Sequence, residues 1–170
     1  MDGDEAGKRA VQRLCESPSV SGLDALVEAG VMVSVADVGA GSSSDCKDPA
    51  DFVLAHGPDQ FRKKVLGQAR PWTEWYGDRI LSQHRARGAK DANAFRQCVE
   101  RLTGFLSELT IPADRTFHVY KFAEELAGDK VALRLQLETD LAIMAQAKED
   151  RRKALRRRVA GTATTATTTA

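Results

Sequence analysis

The chain has 170 residues, 42% of them hydrophobic and 29% charged, with a formal net charge of +1. That length allows one ordinary domain or two small ones. No apolar run approaches the roughly 20 residues of a membrane-spanning helix, so no membrane partner is expected.

The charge is unevenly spread. Residues 1–59 hold 11 acidic and 4 basic side chains, against 13 and 21 in the remainder. An acidic first part and a basic second part are compatible with nucleic-acid work. The acidic start lacks a basic-then-apolar segment, so neither a signal peptide nor a transit peptide is expected. Cys15, Cys46 and Cys98 are odd in number, far apart and without a C-x-x-C pair. This favours reduced thiols in an intracellular setting and argues against a zinc ribbon. His56, His84 and His118 are equally scattered. They read as surface or helix-end residues, because metal ligands come in clusters at set spacings.

In chain order, Asp2 and Asp4 come first, with Gly3 between them. In extended backbone, residues i and i+2 point to one side, and two carboxylates there suit a hard cation such as Mg²⁺. The same tripeptide also reads as a surface turn. Ala6, Ala10, Val11 and Leu14 then mark one face of a helix. Its positive N-terminal end would face an anion held at the two aspartates. After Ser17–Gly22 a second helix runs from Leu23 and closes at Gly30. The β-branched run Val31–Val38 predicts a buried parallel strand. Asp48 can cap the following helix, with Pro49 at its first position. In open α/β sheets ligands gather at the carboxyl ends of strands, and Asp48 lies in the loop after this one.

From Pro49 onward the pattern is helical. Apolar and aromatic residues recur at helical spacing: Phe61 and Val65; Trp72, Trp75, Tyr76, Ile80 and Leu81 in a helix opened by Pro71; then Phe95 to Leu109 before Pro112. Phe117, Tyr120, Ala123 and Leu126 mark the next helix, ended by Gly128, and Val131, Leu135, Leu137, Leu141 and Met144 the last long one. Such spacing makes the aromatics core residues rather than base-stacking platforms. Residues 148–158 hold seven basic and two acidic side chains. They read as a solvated helix end whose cations complement the dipole, or as a phosphate-binding arm of Arg151, Arg152, Lys153, Arg156, Arg157 and Arg158. Gly161–Ala170 is Thr/Ala low complexity and is expected to be disordered.

Three stretches together resemble a known family. Asp2-Gly3-Asp4-x-Ala6-Gly7-x-x-Ala10 resembles the Asp-x-Asp segment of the Toprim fold. Glu28-Ala29-Gly30, the strand Val31–Val38 and Lys47-Asp48-Pro49-Ala50-Asp51-Phe52 follow in the order seen in bacterial-type DNA primases (DnaG class). The part with Pro71-Trp72 and Arg115-Thr116-Phe117-His118-Val119-Tyr120 is similar to the helical subdomain closing that family's RNA polymerase core. The resemblance covers roughly residues 1–128. Topoisomerases and phage-type primase-helicases share the first motif, but the Lys-Asp-Pro segment and its helical continuation fit them less well.

The resemblance implies an α/β remnant of a Toprim fold followed by an all-α subdomain, mostly helical overall. Its divisions are a partial Toprim domain over 1–69, a helical subdomain over 70–147, and a basic helix end with a disordered tail over 148–170. It implies metal-dependent nucleotidyl transfer that makes RNA primers for DNA replication. Asp2, Asp4 and Asp48 would be the catalytic metal ligands, holding Mg²⁺ or Mn²⁺. Nucleoside triphosphates, a single-stranded DNA template and the replicative helicase would be partners of the full-length protein, in the bacterial cytoplasm or a plastid or mitochondrion.

Departures from the family are equally legible. A second acidic position, two residues after the aspartate of Lys-Asp-Pro, is Ala50 here, and Asp51 is one residue further on. The family's catalytic glutamate precedes the Asp-x-Asp segment and has no counterpart in this sequence. The chain is therefore expected to be a fragment, inactive alone, with Met1 an internal residue of a longer frame. The alternative is a non-catalytic helical interaction module that binds nucleic acid or a replication partner through residues 148–158. A third reading is an ordinary helical domain whose Asp2, Asp4 and Asp48 are turn and capping residues.

Overall fold

The computed structural model describes residues 5–39, 46, 48–86 and 91–166. They are mostly helical, with one small two-stranded sheet. The elements run α1 (Glu5–Glu16), α2 (Pro18–Ser21), α3 (Leu23–Glu28), β1 (Ser34–Val35), α4 (Pro49–His56), α5 (Pro58–Lys64), a 3-10 turn, β2 (Arg70–Pro71), α6 (Trp72–Ala86), α7 (Ala92–Glu108), α8 (Pro112–Ala127) and α9 (Val131–Ala166). The chain forms two compact units, Met1–Arg79 and Ile80–Ala170. Trp72, Trp75 and Tyr76 are buried.

In the first unit α1 spans Glu5–Glu16, but the predicted apolar face is not its buried one: Ala6, Ala10 and Leu14 are exposed and Val11 half-buried. Its inward residue is Cys15, 2% exposed, whereas Leu14 is 51% exposed. The cysteine acts as a small hydrophobe there. Gly22, at φ 81°, separates α2 from α3 and adopts a left-handed conformation that side chains avoid. Arg79 ties α6 to α1 by donating to Gln12 Oε1 at 2.9 Å and pairing with Glu5 at 3.4 Å. Its guanidinium also lies 5.7 Å from the Trp75 ring centroid.

The predicted parallel strand over Val31–Val38 is corrected. Only Ser34–Val35 is strand, and it pairs antiparallel with Arg70–Pro71, Ser34 opposite Pro71 and Val35 opposite Arg70. Trp72 N donates to Val33 O at 3.1 Å and extends the ladder. Among the described residues the only other strand is β2, and it runs the opposite way. Pro71 therefore closes a strand rather than opening α6. Val38, at the end of the apolar run, is buried with Phe52 of α4 and Val65, flanked by Ala36, Cys46 and Phe61.

The second unit is a helical bundle in which α7 and α8 each pack along α9. Leu102, Leu106, Phe122, Ala123, Leu141 and Ala145 are fully buried. The stripe on α8 lies one residue from the predicted one. His118, Val119, Phe122, Ala123 and Ala127 face inward, while Phe117 and Tyr120 are more than half exposed. Counting only apolar residues hid this face, because its first member is a histidine. His118, 2% exposed, stacks on Phe122 with centroids 5.5 Å apart and meets Phe105 edge-on. His84 is also buried, edge-on to Phe95. Two of the three histidines are therefore core residues; only His56, at the end of α4, is exposed. On α9, Leu137, Leu141 and Ala145 face inward, and Val131 and Leu135 do not. The helix also continues through Gly161 to Ala166, into the segment expected to be disordered. Ala160, Ala163 and Ala166 supply the strongest helix-forming residue there.

Burial sets thiol chemistry in both units. It raises the Cys15 thiol to about 12, helped by Glu16, and the Cys98 thiol to about 11 against the opposing charge of Arg101. Thiolate is the reactive form. Ellman's reagent at pH 8 is therefore expected to modify Cys46 in the native chain and to reach Cys15 and Cys98 only in urea. Fast native labelling of all three would contradict this packing.

Candidate metal centre and the basic end of α9

Asp48 is built into the start of α4. Its backbone is extended (φ −130°, ψ 166°), and its Oδ1 accepts from Asp51 N at 2.8 Å. Pro49 at the first helical position has no N–H to leave unpaired. Phe52, one turn on, is 1% exposed and packs on Val38 and Val65, which anchors this helix start to the segment following β1. The capping bond engages one of the two carboxylate oxygens, each of which can accept or ligate. Asp37 follows β1 by two residues, its Oδ1 accepting from Gly39 N at 2.9 Å. Ala50 and Asp51 are both exposed in the first turn of α4.

Asp2 and Asp4 lie outside the described residues, as does Lys47. Among the described residues no three His, Cys, Asp or Glu side chains come together in a group able to hold a metal ion. Asp48 is thus placed by the structure as a helix cap. A carboxylate donor is also the hard oxygen type that Mg²⁺ and Mn²⁺ prefer.

The first part of the basic stretch is tied to α7 and α8. Lys148 Nζ donates to Glu100 O at 2.6 Å, and Arg152 donates to Ser107 O at 2.6 Å while pairing with Glu108. Ser107 and Glu108 form the end of α7, where carbonyls lack helical partners and the dipole favours cations. Glu149 pairs with Arg115 of α8 at 2.7 Å and with Lys153 at 2.5 Å. Arg115 also donates to Leu109 O at 2.8 Å and Gln146 Oε1 at 3.2 Å. The Lys153 bond, then the Arg115 bond and charge, hold the Glu149 carboxyl below the ordinary range against the opposing effect of burial. Burial lowers Lys148, opposed by Glu100.

Arg152 and Lys153 therefore have structural work that the sequence did not reveal. The signal available was the i, i+4 pair Glu149–Lys153; the α7 partner of Arg152 is 45 residues away in sequence. Arg151, Arg156 and Arg157 are exposed, and the side chain of Arg158 lies outside the described set. No family profile, curated protein or solved structure matches the chain. No described helix is long and apolar enough to cross a membrane.

Proposed function

We propose that this chain forms part of a bacterial-type DNA primase, contributing the later portion of a Toprim-type metal site and the helical region that follows it. The observation that carries the reading is the Asp48-Pro49 helix start. Asp48 caps α4 and Pro49 takes its first position. Phe52 packs this start against Val38, after the order helix, strand, capped helix. That order is what the resemblance requires of the Lys-Asp-Pro motif. Asp2, Asp4 and Asp48 hold Mg²⁺ or Mn²⁺ in this reading. When bound, the ions supply charge neutralisation as a 3′-hydroxyl attacks a nucleoside triphosphate's α-phosphate. Asp48 presents its carboxylate from a fixed helix start. Single-stranded template, nucleoside triphosphates and the replicative helicase are the partners of the full-length protein on this reading.

Mn²⁺ titration followed by electron paramagnetic resonance tests it. Asp2→Asn, Asp4→Asn and Asp48→Asn are each expected to weaken Mn²⁺ binding by about tenfold or more, since even outer-sphere changes cost about 10–100-fold. Asparagine caps helices as well as aspartate does, so Asp48→Asn should leave the unfolding midpoint unchanged. Unaltered Mn²⁺ affinity in Asp4→Asn would overturn the reading.

A further inference from the structure

The groove between α8 and α9 lies wholly within the second unit. A short turn separates Ala127 from Val131, so the two helices run antiparallel. Thr116, Val119 and Tyr120 of α8 and Glu138, Thr139 and Ala142 of α9 line a trough of about 350 Å³. Small-ligand pockets measure about 300–1,000 Å³. Val119 is 6% exposed and supplies apolar surface, while Tyr120 is more than half exposed.

Hydrogen bonding within the bundle decides what a ligand there must carry. Thr116 Oγ1 donates to Pro112 O at 3.0 Å, and Thr139 Oγ1 donates to Leu135 O at 3.2 Å. Both hydroxyl protons are engaged and their lone pairs remain. Arg115 and Gln146, which also line the trough, are bonded to each other at 3.2 Å. Arg115 donates further to Leu109 O and pairs with Glu149, its Nε is buried, and Gln146 donates to Asp150. Glu138 differs. Its side chain is 19% exposed, and its ion-pair partner Arg134 Nε stands 3.6 Å away, beyond hydrogen-bond length. A carboxylate so far out of water is costly until it accepts a hydrogen bond. Apart from the Tyr120 hydroxyl, which can give or accept, the trough therefore offers acceptors.

We propose that this groove binds a small amphipathic amine. Its apolar body lies along Val119 and Ala142, and its ammonium donates to the Glu138 carboxylate and the Thr139 hydroxyl. An ammonium has three donors and no acceptor, which matches what the trough leaves open. Tyr120 and Glu138 both lie away from the end closed by Arg115 and Gln146, since α8 and α9 run in opposite directions. An aromatic ring at that end attracts a cation through its face. The site is independent of the metal reading.

Amide NMR spectra of the full chain, titrated with phenethylamine to about 20 mM, test the site in the millimolar range of small ligands. Saturating shifts on α8 and α9 are expected, with hydrocinnamate, the carboxylate counterpart, binding about tenfold more weakly or worse, as the loss of a charged hydrogen bond requires. Glu138→Gln is expected to weaken phenethylamine by a similar factor. Ala142→Phe, at an exposed helix position, is expected to fill the trough and abolish the shifts without lowering the unfolding midpoint. Absence of saturating shifts on α8 and α9 overturns the proposal. Equal or tighter binding of hydrocinnamate overturns the choice of an amine, and unchanged phenethylamine affinity in Glu138→Gln or Ala142→Phe overturns the placement.

Discussion

Phe122→Ala is expected to destabilise the Ile80–Ala170 unit by about 3–5 kcal/mol, the range for emptying a buried aromatic site. Phe122 is 0% exposed and its ring is the meeting point of Phe105, at 6.0 Å, and His118, at 5.5 Å. Its removal costs the transfer free energy of the ring and leaves a void among neighbours that are themselves fully packed. Phe117→Ala provides the comparison. Phe117 sits on the same helix but is 55% exposed, so its loss should cost under about 1 kcal/mol. Urea unfolding followed by far-ultraviolet circular dichroism measures both. Equal costs for the two substitutions would place the α8 stripe where the apolar periodicity put it, on Phe117 and Tyr120, and not where the fold puts it.

The second large effect belongs to Arg115. Arg115→Met should cost about 2–3 kcal/mol, because it removes charge-assisted hydrogen bonds from a largely buried pair. The pair is 18% and 13% exposed at its arginine and glutamate side chains. The substitution also removes the donor to Leu109 O, in the short connection between α7 and α8. Lys153 remains beside Glu149, but at 58% exposure it is screened by water.

The same pair gives an acid limb. Glu149 has its folded carboxyl lowered below its ordinary value of 4.5. Its contribution is therefore complete above about pH 4.5 and is lost as pH falls through the lowered folded value. In Glu149→Gln that part of the pH dependence should disappear. Thermal unfolding between pH 7 and pH 2 would show a flatter acid limb than wild type. A parallel acid limb in the two proteins would remove Glu149 from the account.

Local signals in the chain are legible where local chemistry decides the outcome. Asp48 with Pro49 specifies a capped helix start within four residues, and α4 begins there. Of the periodic residues Phe95, Val99, Leu102, Leu106 and Leu109, the last three are buried and the first two half-buried. Reading failed where the partner is distant. Nothing near Val35 indicates that it pairs with Arg70. Nothing near Arg152 indicates the carbonyl of Ser107. His118 was misplaced for a different reason: its ring is apolar enough to stack in a core, yet it counts as polar in a hydrophobicity pattern. The proposed metal site is legible only as a motif, because Asp48 is the one of the three aspartates within the described residues.

The bonds from α9 to α7 form late in synthesis. A nascent chain emerges from its N-terminus, so α7 exists long before its partners do. Until residue 148 is made, Glu100 O lacks the lysine it accepts from, and Ser107 O waits for residue 152. Arg115, already present on α8, stays without Glu149 over the same interval. The closing contacts of this bundle are thus delivered late, by residues whose charge first suggested a solvated helix end.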